Sequence, residues 1–321
     1  MEKELLYKNR SFSSCINAAY KLQLENLKNI LKCTWLPILV QSLLMGGYMV
    51  IITPWLANGA SWSGMPFLKL LALIAIAILE MVATAWTLSR LMSLLNEKPR
   101  KWNFRRSLWM LIGNADISLI FVSLFSGGAG AAVGYLQAKA TAGEAVPAMS
   151  TTVMAILGVY ILLLLLFFCL VQLPLLYASM RYLNDEKMHF WRDLLPCLRT
   201  GLRHWGFIFI TVLLSSIFVA IIIMLLMIPY YILSFARFAS EVGVVTGDPS
   251  GMPGYFPWLQ LFTAIIVFFL VYQVTIFEAL VIYFMYGSIE TQEKERHSSK
   301  TIPPISDVTE EAVLQPYPSS I

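Results

Sequence analysis

Glu80, Gln172 and Glu278 are the side chains best placed to do chemistry, because each interrupts a run of otherwise apolar residues. Each also lies about ten residues before the end of its run, near Arg90, Arg181 and Ser288 respectively. Placing an ionised carboxylate at mid-bilayer costs roughly 3 kcal/mol on insertion scales, so such groups face other helices and are either protonated or partnered. Brought together, they make a polar pathway or a proton-coupled site. Held one by one, they are interhelical hydrogen bonds worth about 0.6 kcal/mol each, and the sequence favours this second reading. Gln273 is a fourth polar candidate, in the same run as Glu278. A different feature lies at Ser126, Gly130 and Gly134, where small residues four apart form a helix face that lets two backbones approach closely.

Motifs for catalysis or cofactors are missing. The chain has no HExxH, GxSxG or GxxxxGK[ST] pattern, and its four cysteines and three histidines have no zinc-ligand spacing. The expectation is a non-enzyme with no metal and no cofactor. Asn114 and Asp116 stand where a helix start accepts short polar side chains, so they read as capping residues. Arg237 reads as a cation snorkelling to a membrane surface.

The elements that must position these residues follow from composition. With 58% hydrophobic and 13% charged residues, the 321-residue chain is no ordinary soluble protein, and nucleic acid is not an expected partner. Apolar runs predict six transmembrane helices at about 35–57, 67–89, 113–136, 152–180, 205–235 and 258–288. Three amphipathic segments precede the odd-numbered spans, at about 10–33, 102–112 and 187–203. The first carries Phe12, Ile16, Tyr20, Leu24, Leu27 and Leu31 on one stripe, and the third carries Phe190, Leu194, Leu198 and Leu202. Phe12, Phe104 and Phe190 open the three segments with the same spacing to the next apolar residue. The predicted fold is therefore an all-α polytopic membrane bundle of three repeats, each an amphipathic helix plus a transmembrane hairpin. Residues 289–321 are polar and contain four prolines, so they are expected to form a disordered tail.

Charge sets the orientation. Of the 23 Lys and Arg residues, all but Lys69, Lys139 and Arg237 fall on the side of the amphipathic segments and the two termini, which puts that side in the cytoplasm.

The segment Phe190-Trp191-Arg192-Asp193-Leu194-Leu195 through Leu198-Arg199-Thr200-Gly201-Leu202-Arg203-His204-Trp205, following Gln172-Leu173-Pro174, resembles the recurring unit of bacterial six-span proteins. These are related to the membrane domain of glycerophosphodiester phosphodiesterases, and uncharacterised families of DUF975 type share the unit. The resemblance implies a protein of the bacterial cytoplasmic (inner) membrane. It imports no phosphodiesterase activity, since no segment outside the spans is long enough for the catalytic barrel. Two functions are expected. The first is a non-catalytic scaffold or bilayer-interacting module, whose partners are anionic lipid headgroups and a protein partner or a second copy of the chain. The alternative is a transporter of a lipid-like or small amphiphilic solute using Glu80, Gln172 and Glu278.

Overall fold

The computed structural model describes residues 6–57, 66–141, 149–245 and 252–301, and among these it holds helices and no strands. In order they are α1 (Phe12–Glu25), α2 (Leu27–Ala57), α3 (Phe67–Leu95), α4 (Arg100–Thr141), α5 (Met149–Phe167), α6 (Leu173–Asn184), α7 (Phe190–Arg203), α8 (Trp205–Val245) and α9 (Phe256–Thr301). A five-residue π turn, Phe168–Gln172, joins α5 to α6. Five segments are long and apolar enough to cross a membrane: Leu27–Ile52, Phe67–Leu95, Met154–Asn184, Trp205–Ser240 and Phe256–Ser298. The chain is a membrane protein of helical architecture. The expected third span lies within α4, and most of its side chains beyond Leu124 fall outside the described residues.

Helix α9 is the hub. It packs against α2, α8, α1 and α6, while α2–α3, α3–α4 and α6–α7 form the other main contacts. The best buried side chains cluster towards one end of the bundle, at Met92, Leu173, Tyr177, Leu183, Ile208, Leu280 and Met285. Further along the same helices Leu68, Ile78, Leu225 and Ile266 are exposed, as are Leu162 and Leu165 on α5. An apolar exterior of this kind suits a lipid environment.

Two of the amphipathic segments are separate helices of 14 residues, and each ends in a single non-helical residue before a long apolar helix begins. Asn26 is the break after α1, and its side-chain amide donates to the Leu22 carbonyl at 3.3 Å. His204 is the break after α7, and its backbone N–H reaches the Thr200 and Gly201 carbonyls at 3.2 Å. The middle segment has no such break, because α4 runs unbroken from Arg100 to Thr141. The opening phenylalanines also differ in setting: Phe12 is exposed, whereas Phe190 is buried against Gly113 of α4.

The two expected stripes meet different surroundings: most of the α1 stripe is exposed, while Phe190, Leu194 and Leu198 of the α7 stripe pack on the bundle. On α1, Cys15, Ala19 and Leu22 face the protein, while Phe12, Tyr20 and Leu24 of the expected stripe are exposed, Phe12 and Tyr20 along a groove bordered by Leu214, Phe218 and Phe277. On α7, Phe190, Leu194, Cys197 and Gly201 face inward at helical spacing, leaving Trp191, Leu195 and Leu202 outside. Each helix thus has one face for the bundle and a second apolar face for its surroundings.

Three further expectations need correction. Residues 289–301 belong to α9 rather than to a disordered tail, because Glu290, Glu293 and Glu295 each find partners on other segments; residues 302–321 lie outside the described residues. Arg237 does not reach a surface: it is buried, and its guanidinium donates to Gln260 Oε1 at 2.7 Å. Asn114, read as a capping residue, lies inside unbroken α4, where its side chain donates to Ser179 Oγ at 3.2 Å.

Candidate functional site

The intramembrane polar residues do not converge on one site. Glu80 on α3 accepts a hydrogen bond from Tyr272 Oη of α9 at 2.6 Å. One turn on, Thr84 donates to the Glu80 carbonyl and accepts from Gln41 Nε2 of α2, both at 2.8 Å, while Thr87 donates to Gln41 Oε1 at 2.7 Å. Glu278 lies on another side of α9 and accepts from Ser216 Oγ of α8. Gln172, in the π turn, donates to Ser118 Oγ of α4 at 2.6 Å. Three helix pairs are therefore each tied by their own polar contact. Glu80 Oε2, Asn114 Oδ1 and Gln273 Nε2 are buried and have no hydrogen-bond partner.

The π turn has a local cause. Leu173 N–H bonds to the Phe168 carbonyl, five residues back, so the next bond of that pattern would run from residue 174 to the carbonyl of Cys169. Residue 174 is proline and has no N–H to give. The orphaned Cys169 carbonyl is met instead by the indole N–H of Trp205, at 2.7 Å, from the first residue of α8. Such single-turn π insertions recur at functional sites.

A denser polar assembly lies at the end of the bundle that carries most of the Lys and Arg residues. Arg106 of α4 is buried, sandwiched between the Trp102 and Tyr182 rings at 4.8 and 4.1 Å, and donates to the carbonyls of Met188 and Glu186 at 2.8 and 3.1 Å. Burial holds its pKa below the usual arginine value, opposed by the nearby Tyr182, Asp185 and Glu186. The turn after α3 is tied down by Asn103, which is fully buried and exchanges amide hydrogen bonds with Asn96 at 3.0 and 3.1 Å. Lys98 then joins the two turns, with Nζ donating to the Asn184 carbonyl at 2.8 Å and pairing with Glu186 at 3.3 Å. At the start of α7, Asp193 accepts the His189 N–H at 2.8 Å, which holds its carboxyl below the ordinary aspartate range.

The last turns of α9 and the segment before α1 close this end. Tyr177 Oη donates to Glu290 at 2.7 Å, with Arg181 at 3.6 Å from the same carboxylate. Glu293 takes both Arg203 at 3.0 Å and His204 at 2.7 Å. Ser288 exchanges hydrogen bonds with the backbone of Arg10 at 3.0 and 3.1 Å, and the Arg10 guanidinium lies 5.1 Å from the centre of the Phe284 ring. Between these elements is an open cavity of about 440 Å³, bounded by the segment before α1, the turn after α3, the end of α6 and α9. Its wall includes Glu97, which has a left-handed backbone (φ 58°).

The small-residue face is only partly described. Ser126 and Gly134 point outward, and a side chain built on Gly134 would meet nothing within 4 Å; the surroundings of Gly130 lie outside the described residues. Among the described residues no cluster of His, Cys, Asp and Glu could hold a metal ion. The sequence reading missed Arg106, Asn103, Glu290 and Glu293. A usable signal was there in Glu290 and Glu293, since acidic residues ending an apolar helix complement the Arg181 and Arg203 of the preceding segments. Comparison with protein-family models, with curated proteins and with solved structures returns no match to this chain.

Proposed function

We propose that this is a non-catalytic module of the bacterial cytoplasmic membrane that grips the inner leaflet through α1 and α7, with both termini cytoplasmic. The observation that carries the reading is the second apolar face of each helix: Phe12, Tyr20 and Leu24 on α1, and Trp191, Leu195 and Leu202 on α7, are exposed, with Phe12 and Tyr20 bordering a groove against Leu214 and Phe218 of α8. Lys21 of α1 and Arg192 and Arg199 of α7 are carried by the same two helices. Outward apolar residues with adjacent cations fit a helix lying at the headgroup boundary, where each well-placed cation adds about 1 kcal/mol on anionic lipid. The dispersal of Glu80, Gln172 and Glu278 over separate helix pairs also favours a structural role for them. The outward direction of Ser126 and Gly134 leaves room for a second copy of the chain as partner.

The test uses nitroxide labels at Leu195 and Tyr20, introduced as cysteines with Cys33 and Cys169 replaced by serine, in phosphatidylglycerol nanodiscs. Collision with oxygen should exceed collision with a water-soluble nickel chelate at both positions. Free access of the chelate to both would reject the proposal.

The second reading, a transporter of a lipid-like or small amphiphilic solute, draws on the unpartnered Glu80 Oε2 and Gln273 Nε2. Solute flux in proteoliposomes that Glu80→Gln and Glu278→Gln abolish would establish it over the first.

A further inference from the structure

The cavity near the ends of α6 and α9 is of small-molecule size, about 440 Å³. Its charges are of both signs and interleaved: Lys98, Arg181 and Lys294 stand among Glu97, Asp185, Glu186 and Glu290. A site for a simple anion would not carry four carboxylates, and one for a simple cation would not carry three cationic side chains. Tyr283 and Tyr286 are buried in its wall and Tyr7 stands at the edge, so aromatic rings are at hand for an ammonium group. Lys294 already lies 4.6 Å from the centre of the Tyr7 ring.

The wall is held in place rather than left to solvent. Lys98 ties the turn after α3 to the end of α6, Asn103 braces that turn from below, and Glu290 is fixed by Tyr177. The turn also carries Glu97 in a left-handed backbone conformation, which is unfavourable for a non-glycine residue and persists where surrounding structure enforces it.

We propose that this cavity binds a small zwitterion, a molecule joining an ammonium group to a phosphate or carboxylate. The carboxylates of Glu97 and Asp185 and the tyrosine rings receive the ammonium end. Lys294 receives the anionic end, while Lys98 holds the wall. Ethanolamine phosphate has this chemistry, either as a free solute or as the headgroup of a phospholipid. The proposal stands apart from the bilayer-gripping role of α1 and α7 and survives if that role fails.

The test is calorimetric titration of the full chain in a non-ionic detergent with ethanolamine phosphate, with inorganic phosphate and with ethanolamine. Ethanolamine phosphate should bind at least about tenfold more tightly than either half, a difference of one decade in Kd. Glu97→Gln and Lys294→Gln should each weaken it about fivefold or more with melting temperature unchanged, both side chains being exposed. Equal binding of phosphate alone or of ethanolamine alone, no heat from any of the three, or variants that bind as the parent does, would each overturn the proposal. Repeating the titration in nanodiscs separates the sources. Weaker binding in phosphatidylethanolamine than in phosphatidylglycerol discs identifies the lipid headgroup as ligand, and equal binding identifies the free solute.

Discussion

The indole N–H of Trp205 donates to the carbonyl of Cys169 at 2.7 Å, across the gap between the π turn and the first turn of α8. That carbonyl has no donor within its own helix, because Pro174 occupies the position that would supply one. Trp205→Phe keeps a ring to stack on Phe209 and removes the donor together with part of the indole's volume. The expected loss is about 1–3 kcal/mol, from leaving a partly buried carbonyl unpaired and from the lost ring volume. Thermal unfolding in detergent measures it, and a second change, Pro174→Ala, should recover part of the loss by returning a backbone N–H.

Gly287 of α9 touches the carbonyl oxygen of Leu6, so a methyl group there would overlap backbone rather than a movable side chain. Gly287→Ala should therefore dislodge the segment before α1 and cost about 1–3 kcal/mol, as overpacking does. Hydrogen exchange at the Arg10 amide, which now bonds to Ser288, reports the displacement. Gly206→Ala is the control: nothing lies within 4 Å of the added carbon, and the change should be neutral or slightly stabilising.

Arg106 stacks between two rings while two of its nitrogens hold carbonyls of the 186–188 turn. Lysine keeps the charge but neither the plane nor the fork, so Arg106→Lys should cost most of what Arg106→Ala costs. A loss of about 3 kcal/mol is expected for the alanine variant, since hydrogen bonds from a charged donor contribute roughly 1.5–3 kcal/mol each. Melting curves of the two variants settle the comparison, and full stability in the lysine variant would contradict the bidentate account.

Cys15 is wholly buried on the inner face of α1, and burial raises its thiol pKa to about 11; burial also raises that of Cys197. Only the thiolate reacts, so both should resist iodoacetamide at pH 8 in the folded protein. An unfolded thiol loses its proton at lower pH, so rising pH above its unfolded pKa favours the unfolded chain and folding loses stability there. Mass spectrometry of peptides alkylated before and after unfolding in dodecyl sulfate checks this. Labelling of Cys15 before unfolding would refute the inward placement of that face.

Glu80 and Tyr272 join α3 to α9 through one hydrogen bond. If that tie is structural, Tyr272→Phe should cost about 0.6 kcal/mol, rising to no more than roughly 1.7 kcal/mol. Glu80→Gln, which keeps an acceptor, should cost less. Steric trapping in bicelles would measure both.

Much of the helical architecture was legible in the sequence because lipid imposes a length and a composition on any helix that crosses it. The runs beginning at Phe67, Trp205 and Trp258 declare themselves on that ground alone. The helix breaks were less legible, since Asn26 and His204 end their helices while the equivalent stretch before Gly113 runs on without interruption. Side-chain direction was harder still. The stripe Phe12–Tyr20–Leu24 is plain in the sequence, but whether it meets protein or lipid depends on α1 also having a small-residue face, Cys15 and Ala19, that fits closely against α9. Arg106 was invisible as a partner because its contacts join turns far apart in the chain. Glu80, Gln172 and Glu278 were found as polar exceptions, yet their spacing carried no information on which neighbour each would meet.

The pairing of Arg10 with Ser288 spans 278 positions. A ribosome adding about 5–20 residues each second needs on the order of tens of seconds to make that much chain. Throughout that interval the inward face of α1 has no α9 to rest on, and the nascent protein must hold Cys15 and Ala19 against lipid or an insertion factor instead. Completion of the bundle is therefore an event that follows translation, and the opening segment of the chain is among the last to find its place.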